Sequence, residues 1–162
     1  MSSLAADTLA ITLTVNGERV TRRVAPRRNL ADFLREDLGL TGAHVGCEHG
    51  VCGACTVRVN GVIVRACLML AVQCDGAEIV TIEGATDEVI RDLRREFHVR
   101  NALQCGFCTP AMLLTAADIV KSKPQSSRAE IREHLSGNYC RCTGYQSIVD
   151  AVEAVCRSRT GS

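Results

Sequence analysis

Aromatic residues and long apolar runs are scarce in this chain of 162 residues. It has no Trp and only 3% aromatic residues, which argues against a surface that stacks nucleic-acid bases. The formal net charge is +1, so charge indicates neither a nucleic acid nor an anionic membrane as a partner. No apolar run approaches the roughly 18 residues that a bilayer-spanning helix needs. We therefore predict no nucleic-acid binding and no membrane span.

Export signals and common catalytic motifs are also missing. The first residues, Met1 to Asp7, lack the basic region and the apolar core of a signal peptide. No glycine-rich dinucleotide loop, P-loop or Ser–His–Asp pattern occurs. The acidic residues show no pairing that would indicate acid–base catalysis. The sequence thus predicts no catalytic residue in this chain.

Cysteine is the residue type in excess, with ten copies. Without an export signal, so many thiols indicate a reducing compartment, where cysteine binds metal instead of forming disulfides. We therefore expect a cytoplasmic protein. Eight of the ten cysteines fall into two groups of four. The remaining two, Cys74 and Cys156, are interpreted as small buried hydrophobic residues.

The first group lies in and after a glycine-rich loop, residues 46–55, and comprises Cys47, Cys52, Cys55 and Cys67. The spacing C-x4-C-x2-C with a more distant fourth cysteine is that of plant-type [2Fe–2S] sites. Ferric ions take soft thiolate ligands, and the interleaved glycines would allow positive φ and close backbone approach to the sulfurs. A structural zinc site or disulfides are the alternatives, and the spacing and glycines together favour iron and sulfur.

The second group consists of two close pairs, Cys105 with Cys108 and Cys140 with Cys142. Each pair precedes a predicted helix, so two helix–loop junctions could bring four thiolates to one metal centre. A thioredoxin-type redox pair is disfavoured because no βαβ pattern surrounds the motif. Zinc in tetrahedral sulfur geometry stays open as the second choice behind an iron–sulfur cluster.

The first half of the chain alternates strand patterns with one short helix. Asn-Gly pairs at positions 16–17 and 60–61 predict type I′ hairpin turns. Asn29 is a candidate N-cap for a helix over residues 30–38. The predicted strands cover residues 9–15, 19–25, 56–59, 62–66 and 77–82. This order, with the cysteine spacing, resembles the β-grasp of plant-type ferredoxins.

The second half shows helical patterns and almost no strand signal. Thr109-Pro110 predicts an N-cap followed by proline at the first helical position, and Ser127 with Glu130 forms a capping box. The predicted helices cover residues 87–98, 110–120, 128–135 and 146–156. We predict an α+β protein with a ferredoxin-like domain, residues 1–84, and a four-helix bundle, residues 85–162.

Three segments resemble the iron–sulfur small subunit of the molybdenum hydroxylases, the family of xanthine oxidase and aldehyde oxidoreductase. They are Gly46–Val57 (GCEHGVCGACTV), Gln104–Pro110 (QCGFCTP) and Ser136–Tyr145 (SGNYCRCTGY). The resemblance implies two [2Fe–2S] clusters, one held by the first cysteine group and one by the second. It also implies that Gln104 contacts the pterin cofactor of a partner.

The resemblance further implies an electron-transfer subunit of a larger oxidoreductase. A large subunit would carry molybdopterin, in its cytosine dinucleotide form, and a medium subunit would carry FAD. The complex would be a heterotrimer or a dimer of heterotrimers, with a cytochrome as the alternative electron acceptor. Two other classes stay open: a free-standing ferredoxin, and a zinc-bound structural or interaction module.

Overall fold

The computed structural model describes residues 7–160. Residues 1–6, on which most of the signal-peptide argument depends, lie outside them. The strands are β1 (Leu9–Val15), β2 (Glu18–Val24), β3 (Thr56–Val59), β4 (Val62–Arg65) and β5 (Glu78–Val80). The helices are α1 (Leu30–Asp32), α2 (Glu88–Val99), α3 (Thr109–Ser122), α4 (Arg128–Leu135) and α5 (Gln146–Thr160). The chain is therefore a strand-rich half followed by a helical half.

The five strands form one mixed sheet with the order β2-β1-β5-β3-β4. Both predicted hairpin turns are confirmed, because Asn16 and Gly17 have φ of 52° and 85°, and Asn60 and Gly61 have 49° and 83°. Strand β5 lies in the centre, parallel to β1 and antiparallel to β3. The last strand of this half therefore joins the two hairpins into one sheet.

The short helix of the first half departs from the prediction. Asn29 caps it as expected, since its side-chain Oδ1 accepts a hydrogen bond from the Asp32 N–H at 2.8 Å. The α-helix covers only three residues, and the chain continues as a π-helical turn over Phe33–Asp37. The wider π turn accommodates the complete burial of the consecutive side chains Phe33 and Leu34. These side chains pack against the buried face of the sheet.

The helical half has its own hydrophobic core, formed by residues between Ala85 and Cys156. The core of the sheet half ends at Ile79. The Ser127–Glu130 capping box is confirmed, but α3 begins at Thr109 with Cys108 as its N-cap, one residue earlier than predicted. Helix α5 also runs further than predicted, to Thr160. Within residues 7–160, no helix has the length and apolar character needed to span a bilayer.

Asp87 connects three elements across the boundary between the halves. Its Oδ1 accepts from the Ile90 N–H at 3.2 Å and so caps α2. Its Oδ2 accepts from Lys121 of α3 at 2.9 Å and lies 3.4 Å from the guanidinium of Arg58 of β3. Partial burial opposes ionisation, but these partners, with Lys121 foremost, outweigh it and lower the pKa of Asp87.

Replacing Asp87 separates its capping role from its ion pairs. We expect Asp87→Ala to lower the free energy of unfolding by about 1–2 kcal/mol, because the helix cap is lost together with the ion pairs. Asp87→Asn should cost less, since Asn caps helices about as well as Asp. Thermal unfolding of the full chain measures both, at about 2–4 °C per kcal/mol for a protein of this size. Equal losses for the two variants would assign the stabilisation to the ion pairs instead.

Candidate metal centres

The first cysteine group is assembled by the β3–β4 hairpin. Cys55 immediately precedes β3, and Cys67 lies in the 3-10 turn that follows β4. The pairing of Thr56 with Arg65 brings the two ends of the hairpin together, and the Ala66 N–H donates to the Cys55 carbonyl at 3.2 Å. Two cysteines that are far apart in sequence therefore become neighbours, as a four-cysteine cluster requires.

Backbone amides of the loop surround the Cys47 sulfur. The Cys52 N–H lies 3.4 Å from Cys47 Sγ. Hydrogen bonds from the amides of Cys52 and His49, in that order, lower the pKa of Cys47 to about 6. Burial, and secondarily the neighbouring Cys55 thiol, raise the pKa of Cys67 to about 11. The loop thus stabilises the thiolate form of Cys47, whereas the Cys67 thiol needs a bound metal to lose its proton.

The loop glycines serve two different purposes. Gly50 and Gly53 have φ of +83° and +72°, a conformation that L side chains rarely adopt. Gly46 does not have the expected positive φ, but it shows the expected close approach to a sulfur, since a Cβ there would lie 3.2 Å from Cys52 Sγ. At Gly53 a Cβ would also collide with the carbonyl of Gly137, which belongs to the second cysteine loop. The two loops therefore touch through their backbones.

The second cysteine group lies at two helix–loop junctions, as predicted. Cys105 and Cys108 precede α3, and Cys140 and Cys142 lie between α4 and α5. Tyr145 closes the second loop, because its hydroxyl accepts from the Cys140 N–H at 2.9 Å and donates to the Asn138 carbonyl at 3.1 Å. This arrangement holds Cys140 facing Cys108.

The thiols of Cys108 and Cys140 differ in their proton affinity. Burial, followed by the neighbouring Cys140 sulfur, raises the pKa of Cys108 to about 12. Burial also acts against ionisation of Cys140, but hydrogen bonds from the Thr143 side chain and backbone outweigh it and lower its pKa. Cys105 and Cys142 are exposed. Cys108 and Cys140 are therefore partly covered by the chain, whereas Cys105 and Cys142 face the surface.

Several cysteine sulfurs interact with one another in pairs. Within the part of the chain that the structure describes, no three His, Cys, Asp or Glu side chains are close enough to hold one metal ion. A structural zinc site would gather four sulfurs at about 2.3 Å from one ion. A [2Fe–2S] cluster spreads four thiolates over two irons. Neighbouring thiols in pairs, Cys47 with Cys52, Cys55 with Cys67 and Cys108 with Cys140, match that division.

The histidines near the loops have backbone partners. His44 Nδ1 lies 2.6 Å from the Phe107 carbonyl, and its ring stacks on that of Phe107 with centroids 4.6 Å apart. His49 Nδ1 contacts the carbonyl of Cys47. Each ring thus contacts a backbone carbonyl of the loops. The His44–Phe107 contact was not anticipated and connects the first loop to the second.

Gln104 lies beside the second cysteine group. Its side-chain amide donates to the Cys142 carbonyl at 3.1 Å, and the residue is exposed. Sequence reasoning assigned no functional role to Asn138, although the residue lies in the Ser136–Tyr145 segment. Asn138 is 1% exposed, and its side chain bonds Gly53 of the first cysteine loop and Thr115 of α3. Its position in that segment, two residues before Cys140, is the signal that could have drawn attention to it.

Two family models together match residues 13–153 of the chain. Residues 13–81 match the family model described as 2Fe-2S iron-sulfur cluster binding domain. Residues 81–153 match the model described as [2Fe-2S] binding domain. Each half of the chain is thus similar to a domain that binds a two-iron cluster.

The chain is also similar to individual proteins over most of its own length and of theirs. The chain is 53% identical over 149 residues to the caffeine dehydrogenase subunit gamma of Pseudomonas sp. strain CBB1, covering 90% of this chain and 89% of the relative. It is 40% identical to the aldehyde oxidoreductase iron-sulfur-binding subunit PaoA of Escherichia coli K12, covering 92% and 72%. A chain in the crystal structure of quinoline 2-oxidoreductase from Pseudomonas putida 86 superposes with a TM-score of 0.87 at 49% identity, covering 95% and 98%.

Replacing Gly53 tests the backbone contact between the loops. We expect Gly53→Ala to lower the thermal midpoint and the bound iron, because the new Cβ collides with Gly137 in addition to the strain of its positive φ. Gly61→Ala is the matched control, since Gly61 has a φ of +83° but no atom within 4 Å of a new Cβ. In the control, backbone strain alone should lower the free energy of unfolding, by about 1–3 kcal/mol, and the bound iron should not change. Equal behaviour of the two variants in iron analysis would contradict a role for the contact.

Proposed function

The chain belongs to the iron–sulfur subunit family of the molybdenum hydroxylases, and on this premise we propose that it relays electrons through two [2Fe–2S] clusters. It is thus a subunit of an oxidoreductase. The observation that carries the proposal is the presence of two four-cysteine sites, one in each half, whose loops touch. When bound, the clusters would each accept and release one electron between a molybdopterin centre and FAD.

We assign the first cluster to Cys47, Cys52, Cys55 and Cys67, and the second to Cys105, Cys108, Cys140 and Cys142. The neighbouring thiols Cys47 with Cys52, Cys55 with Cys67, and Cys108 with Cys140 support this assignment. The domain boundary is placed between residues 84 and 85, which agrees with the separate hydrophobic cores. We describe the first domain as a β-grasp fold and the second as a four-helix bundle, a description supported by the sheet order and the shared core of α2 to α5.

Exposed apolar side chains near each cysteine group support the proposal of two partner subunits. Leu103, Phe107 and Tyr139 surround the second cysteine group and are 40%, 47% and 57% exposed. Val51 and Leu68, beside the first group, are 47% and 61% exposed. Apolar patches of this kind mark interaction surfaces. We place the large, molybdopterin-binding subunit at the second site, with Gln104 contacting the pterin, and the FAD-binding medium subunit at the first.

The remaining parts of the assembly follow from the family. We propose the cytosine dinucleotide form of molybdopterin and a heterotrimer or a dimer of heterotrimers, with a cytochrome as the alternative acceptor. A cytoplasmic location is consistent with ten free cysteines. Identity is higher to the subunits of caffeine dehydrogenase and quinoline 2-oxidoreductase than to PaoA. We therefore propose an aromatic N-heterocycle as the substrate of the complex.

Cluster content is tested by electron paramagnetic resonance (EPR) of the full chain, purified anaerobically and reduced with dithionite. We expect two distinct S = 1/2 signals and about four iron and four sulfide per chain, since each [2Fe–2S] cluster holds two of each. Cys47→Ala should remove one signal and Cys142→Ala the other, each with about half of the iron. Cys156→Ala, at a buried cysteine outside both groups, is the control and should keep both signals. Zinc in place of half of the iron would contradict the second cluster.

The partners are tested by purifying the tagged chain from its native host. We expect two larger subunits to co-purify, one with molybdenum and one with FAD, and the complex to oxidise quinoline in preference to an aromatic aldehyde. Recovery of the chain alone, with both clusters, would indicate a free-standing ferredoxin. Preference for the aldehyde would overturn the substrate class and leave the subunit assignment intact.

A further inference from the structure

A buried polar side chain lies between the two cysteine loops. Asn138 is 1% exposed, and its carboxamide hydrogen-bonds to three different segments. The Nδ2 atom donates to the Gly53 carbonyl at 3.0 Å and to Thr56 Oγ1 at 3.3 Å, both in the sheet half. The Oδ1 atom accepts from the hydroxyl of Thr115 in α3 at 2.9 Å. One side chain thus joins the first cysteine loop, strand β3 and helix α3.

The residue after Asn138 continues the connection through its backbone. The Tyr139 N–H donates to the carbonyl of Cys52 at 2.8 Å. Cys52 is a proposed ligand of the first cluster, and Tyr139 directly precedes Cys140, a proposed ligand of the second. One hydrogen bond and one intervening residue therefore separate ligands of the two centres.

Arg65 completes the junction from the side of β4. Its guanidinium donates to the Gly137 carbonyl at 2.7 Å and to Thr56 Oγ1 at 2.6 Å. The hydroxyl of Thr56 in turn donates to the Gly53 carbonyl. Because buried polar groups are costly when unpaired, a fully bonded network of this kind permits only one arrangement of its members. A shift of one loop against the other would break several of these bonds together.

We propose that Asn138 is a positioning residue that fixes the separation and orientation of the two cluster-binding loops. The proposal rests on the two-cluster function proposed above. Transfer of one electron oxidises one centre and reduces the other without making or breaking a covalent bond. Its rate falls steeply with distance, so a rigid junction between the ligand loops keeps the two centres at one distance. Asn138 acts only through the loops and does not contact the reacting centres.

The test compares Asn138→Ala with Gln125→Ala in the full chain. Gln125→Ala is the control, because it also removes a carboxamide, but from an exposed residue between α3 and α4 that lies in neither cysteine loop. The first readout is the mutual broadening of the two EPR signals in the fully reduced chain, which reports their separation. The second is hydrogen exchange of the backbone amides in residues 46–55 and 136–142.

In Asn138→Ala we expect both signals to remain, their mutual broadening to decrease, and exchange to accelerate in both loops together. Gln125→Ala should match the wild type in both readouts. Unchanged broadening and exchange in Asn138→Ala would overturn the inference. A wild-type chain with a single EPR signal would instead overturn the proposed two-cluster function.

Substitution of Thr115 keeps the inference testable if Asn138→Ala does not fold. Thr115→Val preserves the shape of a buried side chain but removes the hydroxyl that bonds Asn138 Oδ1. We expect it to reduce the broadening in the same direction as Asn138→Ala. Thr115→Ser keeps the hydroxyl and should restore the wild-type spectrum. Identical spectra for Thr115→Val and Thr115→Ser would count against the positioning role.

Discussion

Direct backbone contact between the two cysteine loops is the constraint on which the rest of the structure depends. The carbonyl of Gly137 occupies the space where any side chain at residue 53 would begin. The Cys52 carbonyl accepts a hydrogen bond from the Tyr139 amide in the same region. Because neither loop carries a bulky side chain at the contact, each ligand set lies close to the other. The sheet and the helices serve to present these loops to one another.

Polar groups reinforce the packing between the two halves. Val80 and Ile82 of the sheet half pack against the helical core, and Asn138, Arg65 and the Asp87 ion pairs add polar contacts across the same boundary. Polar contacts are directional, since each hydrogen bond specifies both a distance and an angle. In the function proposed above, such contacts would keep the two redox centres at a fixed separation.

The electrostatics of the thiols indicate how each site changes when it binds iron. Amide hydrogen bonds already favour the thiolate of Cys47, while burial keeps Cys67 and Cys108 protonated without a metal. Cluster binding therefore has to release protons from Cys67 and Cys108, which are partly buried. The exposed members of the second group, Cys105 and Cys142, lie beside exposed apolar side chains. The large subunit proposed above would exclude water from this side of the site.

Features set by neighbouring residues were predictable from the sequence alone. The Asn-Gly turns, the Asn29 cap and the Ser127–Glu130 capping box depend on local backbone conformation, and the structure contains them all. The cysteine spacing indicated a plant-type [2Fe–2S] site, and the resemblance of three segments identified the family. The π turn at Phe33–Asp37, the central position of β5 and the hydrogen bonds of Asn138 were decided by tertiary structure. Each depends on contacts between segments that are distant in sequence; Asn138 and Gly53, for example, are 85 positions apart. Local sequence patterns do not indicate which distant groups will meet.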